Sequence, residues 1–336
     1  MASTVQARLV NAPGDDPCLF ISFPYAGQAI LFDVGDIHSL SPKDILKVDH
    51  VFITHTHMDH FIGFDHLLRL ILGREKTIHF YGPDGFIQNI EGKLAGYSWN
   101  LVRDFKNTLI IKASEISAGR IKTKTYSCRD GFHPEEAVAV DCFCDTLHQG
   151  GSWSVQGIIL DHDIPCLAYS LVERYRINFR RDSIEKLGLT VGPWLTGFKN
   201  KVFNGEDPQS QFMVKNVANN LVSFTLDELL HEIAIITPGR KITYITDVAY
   251  HRENKAKLVT FAKGADHLFI EAAFLDEDKK MALKKKHLTA GQAAYIARDA
   301  GVKKFSLFHH SPRYTGMFHR FRTEAEQVYR PPDLST

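Results

Sequence analysis

The chain has 336 residues, 44% of them apolar and 24% charged, with a formal net charge of +1; that is enough to bury a substantial core, as one large domain or two ordinary ones. A balance so near neutrality exerts no global pull toward nucleic acid or a membrane surface, so any such affinity has to come from a local patch. The opening "MASTVQARLVNAPGDDP" lacks the basic and apolar stretches of a signal peptide, no apolar run approaches a membrane span, and five scattered cysteines (Cys18, Cys128, Cys142, Cys144, Cys166) fit a reducing cytoplasm better than a disulfide framework.

In chain order, apolar runs of strand length recur and many end in an ionisable residue. "AILF" leads to Asp33, "VFIT" to His55, "VQGIIL" to Asp161 and His162, "ITYIT" to Asp247, "HLFI" to Glu271 and "FSLF" to His309. Such runs read as buried strands, and in layered α/β folds functional groups gather at one edge of the sheet. Between them, "SPKD" at 41–44 predicts a helix start with Ser41 as N-cap, Pro42 at N1 and Asp44 at N3. A helix is expected over 60–72 with Gly73 beyond its end, and another over 289–301 with Thr289 as cap and Gly301 as stop. Residues 112–150 have weak periodicity and read as an insertion or variable hairpin region, and the tail "RPPDLST" reads as frayed.

The stretch "FITHTHMDHFIG", 52–63, places His55, His57, Asp59 and His60 within six positions. A lone strand-end histidine is more often a satisfied surface or core residue than a ligand, but four ligand-type groups crowded together cost stability unless something pairs them. In extended backbone His55 and His57 point the same way, while Asp59 and His60 follow where the chain turns into a helix and can face a second position. Imidazole and carboxylate together suit a borderline divalent ion such as Zn²⁺, and Mn²⁺ or Fe²⁺ accept the same set. One loop cannot close two metal sites, so His162, Asp247 and His309 are the natural suppliers of further ligands.

"THTHMDH" after a strand resembles the signature loop of the metallo-β-lactamase superfamily, and further blocks resemble its ribonuclease Z-like subgroup: "GREKTIHFYGPDGF" at 73–86, "LDHDIPCLAYSL" at 160–171, "KLGLTVGPW" at 186–194, "PGRKITYITD" at 238–247 and "KKHLTAGQAAYIARDAGVKKFSLFHHSPRY" at 285–314. The resemblance covers most of 28–330 and implies a single α/β domain with the αβ/βα sandwich, two facing mixed sheets with helices outside and metals at one edge. By position it implies one zinc on His55, His57 and His162, a second on Asp59, His60 and His309, and Asp247 bridging them. It further implies a hydroxide between the metals as nucleophile, Asp33 and Asp36 holding ligand imidazoles from behind with Asp161 as a weaker candidate, a protruding tRNA-binding arm near 182–215, and a homodimer. Arg313 in "SPRY" offers donors for a phosphate, or else ties down the C-terminal segment.

The chain departs from that pattern in places. The family's His-Glu-Ala-Thr block, whose histidine helps protonate the leaving oxygen, reads "IEAA" here, with Ile270 for the histidine and Glu271 kept, and its His-Ser-Thr reads "HLT" with His287 kept. Either His287 or His310 substitutes, or the substrate has a better leaving group, or the chemistry is slow; the candidate catalytic residues are Asp59, Glu271 and His287, with Arg313 and His310 as candidates for substrate binding. "NAPGDDP" and "GDIHSL" replace loops that approach the site in the family. "ERYRINFRR" at 173–181 carries Arg174, Arg176, Arg180 and Arg181 among aromatics, which suits RNA or a solvated strand face. Three readings follow: a phosphodiesterase of ribonuclease Z type removing the 3′ trailer of precursor tRNA, a small-molecule phosphodiesterase on the same dinuclear site, or a metal-stabilised binding protein with little catalysis.

Overall fold

In the computed structural model, residues 5–24, 26–141 and 145–329 are described; the tail 330–336, Cys142 and Cys144 lie outside them. Cys18, Cys128 and Cys166 are free and buried. No helix among the described residues is long and apolar enough to cross a membrane. The chain divides into two compact units, the first made of residues 1–145, 157–170 and 242–336 and the second of 146–156 and 171–241. The sequence predicts a single domain; the contacts group into these two units.

The first unit holds two mixed sheets. One runs in the order Gln6–Leu9, Leu19–Phe23, Gln28–Phe32, Val48–Phe52, Lys76–Pro83, Leu109–Ser117, Arg120–Ser127, Val138–Asp141. Its central neighbours, from Gln28–Phe32 to Leu109–Ser117, pair in parallel. The other is built on Lys241–Ile245, His267–Glu271 and Phe305–Phe308, also parallel, next to the strand that begins at Pro165. The sheets face each other through packed aromatics: Phe32 stacks on Tyr169 at 5.4 Å and meets Tyr244 in a tilted pair at 5.8 Å between ring centroids. The Tyr169 hydroxyl donates to the Ile53 carbonyl at 2.6 Å, and Leu167 N donates to the Thr54 carbonyl at 2.9 Å. Each outer sheet face is covered by helices through its own apolar cluster, Val51, Phe64, Leu67 and Phe80 on one side and Leu268, Ile270, Ala293 and Ile296 on the other. Strands buried on both faces explain the unbroken apolar runs. This is the expected αβ/βα sandwich.

Local signals held where they depend on near neighbours. Asp44 N donates to Ser41 Oγ at 3.1 Å, with Pro42 opening that helix. Thr289 and Gln292 form a full capping box, and Gly301 beyond the helix Ala290–Asp299 takes φ 61°. The helix expected over 60–72 is instead two, Met58–Phe61 and Phe64–Ile71. Gly63 between them donates to the Val34 carbonyl at 2.8 Å, and a Cβ there would collide with the carbonyls of Val34 and Gly35. The turn after Asp33 therefore wedges the helix open, a long-range contact that periodicity does not report. Residues 112–150 are not an insertion over their first part: Leu109–Ser117 lies beside Lys76–Pro83 through eight paired residues and then forms a hairpin with Arg120–Ser127. Its alternation is weak because Arg120–Ser127 is mostly half-buried and carries Lys122 and Lys124.

The second unit has its own core of Ile184, Leu189, Phe198, Phe212, Val214, Leu229 and Ile233. The helices Arg181–Lys186, Trp194–Phe203 and Leu226–Ile233 and the hairpin Gln211–Lys215 with Leu221–Thr225 supply most of it. Residues 182–215 are thus part of a larger folded unit. Within it Arg181 pairs with Glu185 at 3.0 Å and Arg176 donates to the Pro238 carbonyl at 3.1 Å, so two of the four clustered arginines have local partners.

Candidate metal centre

The strand ends converge within the first unit. Asp33, Asp247 and His309 each follow a strand in a left-handed conformation, with φ of 57°, 36° and 60°. Non-glycine residues pay for that conformation, and such outliers gather at functional sites. Among the described residues three groups of ligand-type atoms result, each within 4.8 Å of one another: His55, His57, His162 and Asp247; Asp59, His60 and His309; and Asp247, Glu271, His287 and His309. The first two are the sets expected from the sequence. Asp247 faces both. Its Oδ2 lies 3.5 Å from Nε2 of His55, 3.6 Å from Nε2 of His60 and 3.5 Å from Nε2 of His162. Its Oδ1 lies 3.2 Å from Nδ1 of His309. Asp59 Oδ2 is 3.1 Å from Nε2 of His309.

Buried polar atoms normally find partners. Here Nε2 of His60 and Nδ1 of His309 are buried and make no hydrogen bond, an arrangement that a bound cation would complete. The charges agree. Burial penalises an ionised imidazole at His60, yet Asp247 and Asp33 raise its pKa well above the usual range, so the pocket holds carboxylate charge that calls for a cation. Burial first, then the neighbouring His60, depresses His55 to about 2, leaving a neutral imidazole with a lone pair to offer. Imidazoles with carboxylates in two adjoining groups fit two divalent ions.

The groups behind these side chains are only partly those expected. Asp33 is fully buried. It accepts from Nδ1 of His60 at 2.9 Å, from Thr54 N at 2.7 Å and from the Tyr244 hydroxyl at 3.0 Å. Asp36 does not act this way: it is exposed and bonds the exposed His38 at 2.7 Å. Asp161 faces His251 at 3.3 Å and holds no ligand imidazole. His162 is oriented instead by the Lys286 carbonyl, which accepts from Nδ1 at 2.8 Å, and His55 Nδ1 meets Thr54 Oγ1 at 3.1 Å. Nothing in the sequence marked Lys286, whereas Thr54 sits inside the ligand loop itself. Asp33→Asn, which suits the left-handed backbone but removes the charge behind His60, is expected to weaken metal affinity roughly 10- to 100-fold. Competition with a metallochromic chelator measures it.

His287 and Glu271 complete the site. Nδ1 of His287 lies 3.2 Å from Glu271 Oε2, and Glu271 Oε1 accepts from Val248 N at 2.9 Å. Burial pulls the His287 pKa down, but the Glu271 carboxylate outweighs it and raises the group to about 9. Ile270, the neighbour of Glu271, packs into the helix-covered cluster. Successive strand residues point to opposite faces, so a histidine at 270 would face that cluster while Glu271 faces His287. A cavity of about 290 Å³ opens beside the groups, lined among others by Asp59, His287, His309, Asp15, Asp16 and Lys285.

Two expected substrate contacts take other roles. Arg313 pairs with Asp278 at 3.3 Å and lies over the Phe274 ring; it does not line the cavity, and it ties down the C-terminal segment. His310 borders the cavity but is only 5% exposed. Its Nδ1 donates to the Ala272 carbonyl at 2.8 Å, its ring stacks on Phe321 at 3.8 Å, and burial holds its pKa down at about 4. It is a neutral aromatic spacer.

A family model described as a β-lactamase superfamily domain matches residues 32–114 and 231–310. The chain is 28% identical over 332 residues to ribonuclease Z of Deinococcus radiodurans, covering 97% of this chain and 96% of that protein. It is 27% identical over 307 residues to ribonuclease Z of Nanoarchaeum equitans, covering 89% and 79%. Similar solved folds include the short form of human tRNase Z, with TM-score 0.52, 18% identity and 93% of each chain covered. The metallo-β-lactamase fold protein YhfI from Bacillus subtilis aligns with TM-score 0.55 at 15% identity, over 97% of this chain and 93% of that one.

Proposed function

From the premise that this chain carries a β-lactamase superfamily domain and is ribonuclease Z-like over nearly its whole length, we propose that it is a metal-dependent phosphodiesterase that removes the 3′ trailer of precursor tRNA. The observation that carries the reading is Asp247 facing both ligand groups beside a cavity that His287 also lines. His55, His57 and His162 would hold one divalent ion, Asp59, His60 and His309 the other, with Asp247 shared. Zinc as the ion, a homodimer and a cytoplasmic place belong to the same proposal. Two such ions supply Lewis acidity toward the scissile phosphate and acidify water.

The chain's own residues do the rest. Asp59, on the cavity wall, accepts a hydrogen bond from the attacking water and aims it. His287 donates a proton from Nε2 to the leaving oxygen, because its Nδ1 is held by Glu271 and the charge of Glu271 keeps the ring protonated at neutral pH. Asp33, Thr54 and the Lys286 carbonyl fix the ligand imidazoles so that little reorganises during the reaction.

Asp15 and Asp16 on the cavity wall favour the second reading, a small phosphodiester substrate, because two carboxylates repel a polyanion. The test is cleavage of a 3′-extended precursor tRNA by zinc- or manganese-loaded protein, with bis(p-nitrophenyl) phosphate in parallel. Cutting at the base of the acceptor stem is the expected result. Hydrolysis of the small diester alone would overturn tRNA as the substrate and select the second reading, and two bound ions with no hydrolysis would select a binding protein.

A further inference from the structure

The geometry points to Lys285 as the side chain that grips the phosphate next to the scissile one and so seats the substrate with its leaving oxygen toward His287. The inference rests on the phosphodiesterase reading above. Lys285 ends the helix Lys279–Lys285, and Lys286 then takes a left-handed φ of 60°. The chain turns sharply there, and three consecutive residues are committed to the site. The Lys286 carbonyl orients His162, His287 is held by Glu271, and Lys285 lines the same cavity as Asp59, His287 and His309.

The charges around it sharpen the assignment. The Lys286 ammonium is taken by Asp163 at 3.4 Å. Lys285 is exposed and, among the described residues, forms no ion pair. Among the described residues lining the cavity it is also the only lysine or arginine, while Asp15 and Asp16 are negative. Arg313, the cation that the sequence offered for this purpose, is engaged by Asp278. Among the described lysines and arginines, a phosphate beside the scissile one therefore meets a cavity-lining cation at Lys285. Because Lys285 and His287 are separated by one residue, a phosphate held by the first is registered on the second. A diester with a single phosphate has no group to place there, whereas a polynucleotide has one, so Lys285 favours the longer substrate.

The experiment uses the full-length protein as wild type, Lys285→Ala, Lys285→Arg and Lys285→Glu, with melting temperatures to show that each folds. Fluorescence anisotropy with a labelled 3′-extended tRNA is followed across salt concentrations, and cleavage of that RNA is compared with hydrolysis of bis(p-nitrophenyl) phosphate. Lys285→Ala is expected to weaken RNA binding about fivefold and to reduce the salt slope by about one. Lys285→Glu is expected to lose more, Lys285→Arg to restore binding, and the loss in cleavage to be larger for RNA than for the single-phosphate diester. Unchanged affinity and salt slope in Lys285→Ala, or equal losses on both substrates, would overturn the role of Lys285. Wild type that binds RNA but cleaves neither substrate overturns the hydrolase reading, while the affinities still decide Lys285. Wild type that binds no RNA overturns both the role of Lys285 and tRNA as the substrate.

Discussion

Replacing Asp247 with alanine is expected to empty both metal positions and to lower phosphodiester hydrolysis by about 10³-fold or more, because Lewis-acid stabilisation worth several kcal/mol departs with the ions. Asp247 is 2% exposed, and its two oxygens face the imidazoles of His55, His60, His162 and His309, with His287 at 3.9 Å. Burial alone would raise its pKa, yet His309 and His60 hold it well below the usual carboxylate range. Its removal leaves the imidazoles facing one another without a shared anion. Alanine also sits poorly at φ 36°, so Asp247→Asn is the companion variant, since asparagine tolerates left-handed backbone and keeps the volume. Elemental analysis of the purified variants reads the outcome. An Asp247→Asn protein that keeps its full metal content would rule out the shared-ligand role.

His287→Ala is expected to lower kcat on RNA by about 10² to 10⁴, the usual contribution of a positioned proton donor. The loss on a nitrophenyl ester should be smaller, because nitrophenolate leaves without a proton. A general acid must be protonated to act, so kcat should be level at neutral pH and fall as pH rises through the His287 pKa, which Glu271 raises to about 9 against the effect of burial. Glu271→Gln removes that charge and should move the falling limb to lower pH. His287 also lies near Asp247, Glu271 and His309 in an arrangement that could itself hold an ion. Metal content therefore separates the roles: ions retained with kcat lost identify an acid, and ions lost would identify a ligand.

Much of the site was legible because its signals are local. The run from Val48 to Phe52 and the ligand-dense turn after it are contiguous, and a buried strand followed by four crowded metal-type groups has few other physical explanations. Strand-end acids and imidazoles at Asp33, His162, Asp247 and His309 were legible for the same reason. Asp36 and Arg313 misled because chemical type is visible in a sequence while partnership is not. Asp36 found His38 two residues away, and Arg313 found Asp278. His310 misled in the opposite way, since a titratable ring buried on Phe321 behaves as a neutral aromatic. The independent core of 171–241 was hidden because alternating arginines and aromatics describe a strand face equally well with or without a helix packed beneath it.

By itself the sequence determined the helix caps at Ser41 and Thr289, the buried strands, and a loop able to serve two cations, because each depends on residues within a turn or a strand of one another. Only the tertiary structure decided which groups act together. Asp59 meets His309 across 250 residues of chain, and the carbonyl that orients His162 arrives from 124 residues away. His287 rather than position 270 faces the cavity because Glu271 and Ile270 lie on opposite faces of one strand, and Lys285 lines that cavity with no ion pair among the described residues while Asp163 takes its neighbour. Burial and opposing charge set protonation and pairing, and both are sums over neighbours that only folding brings within reach.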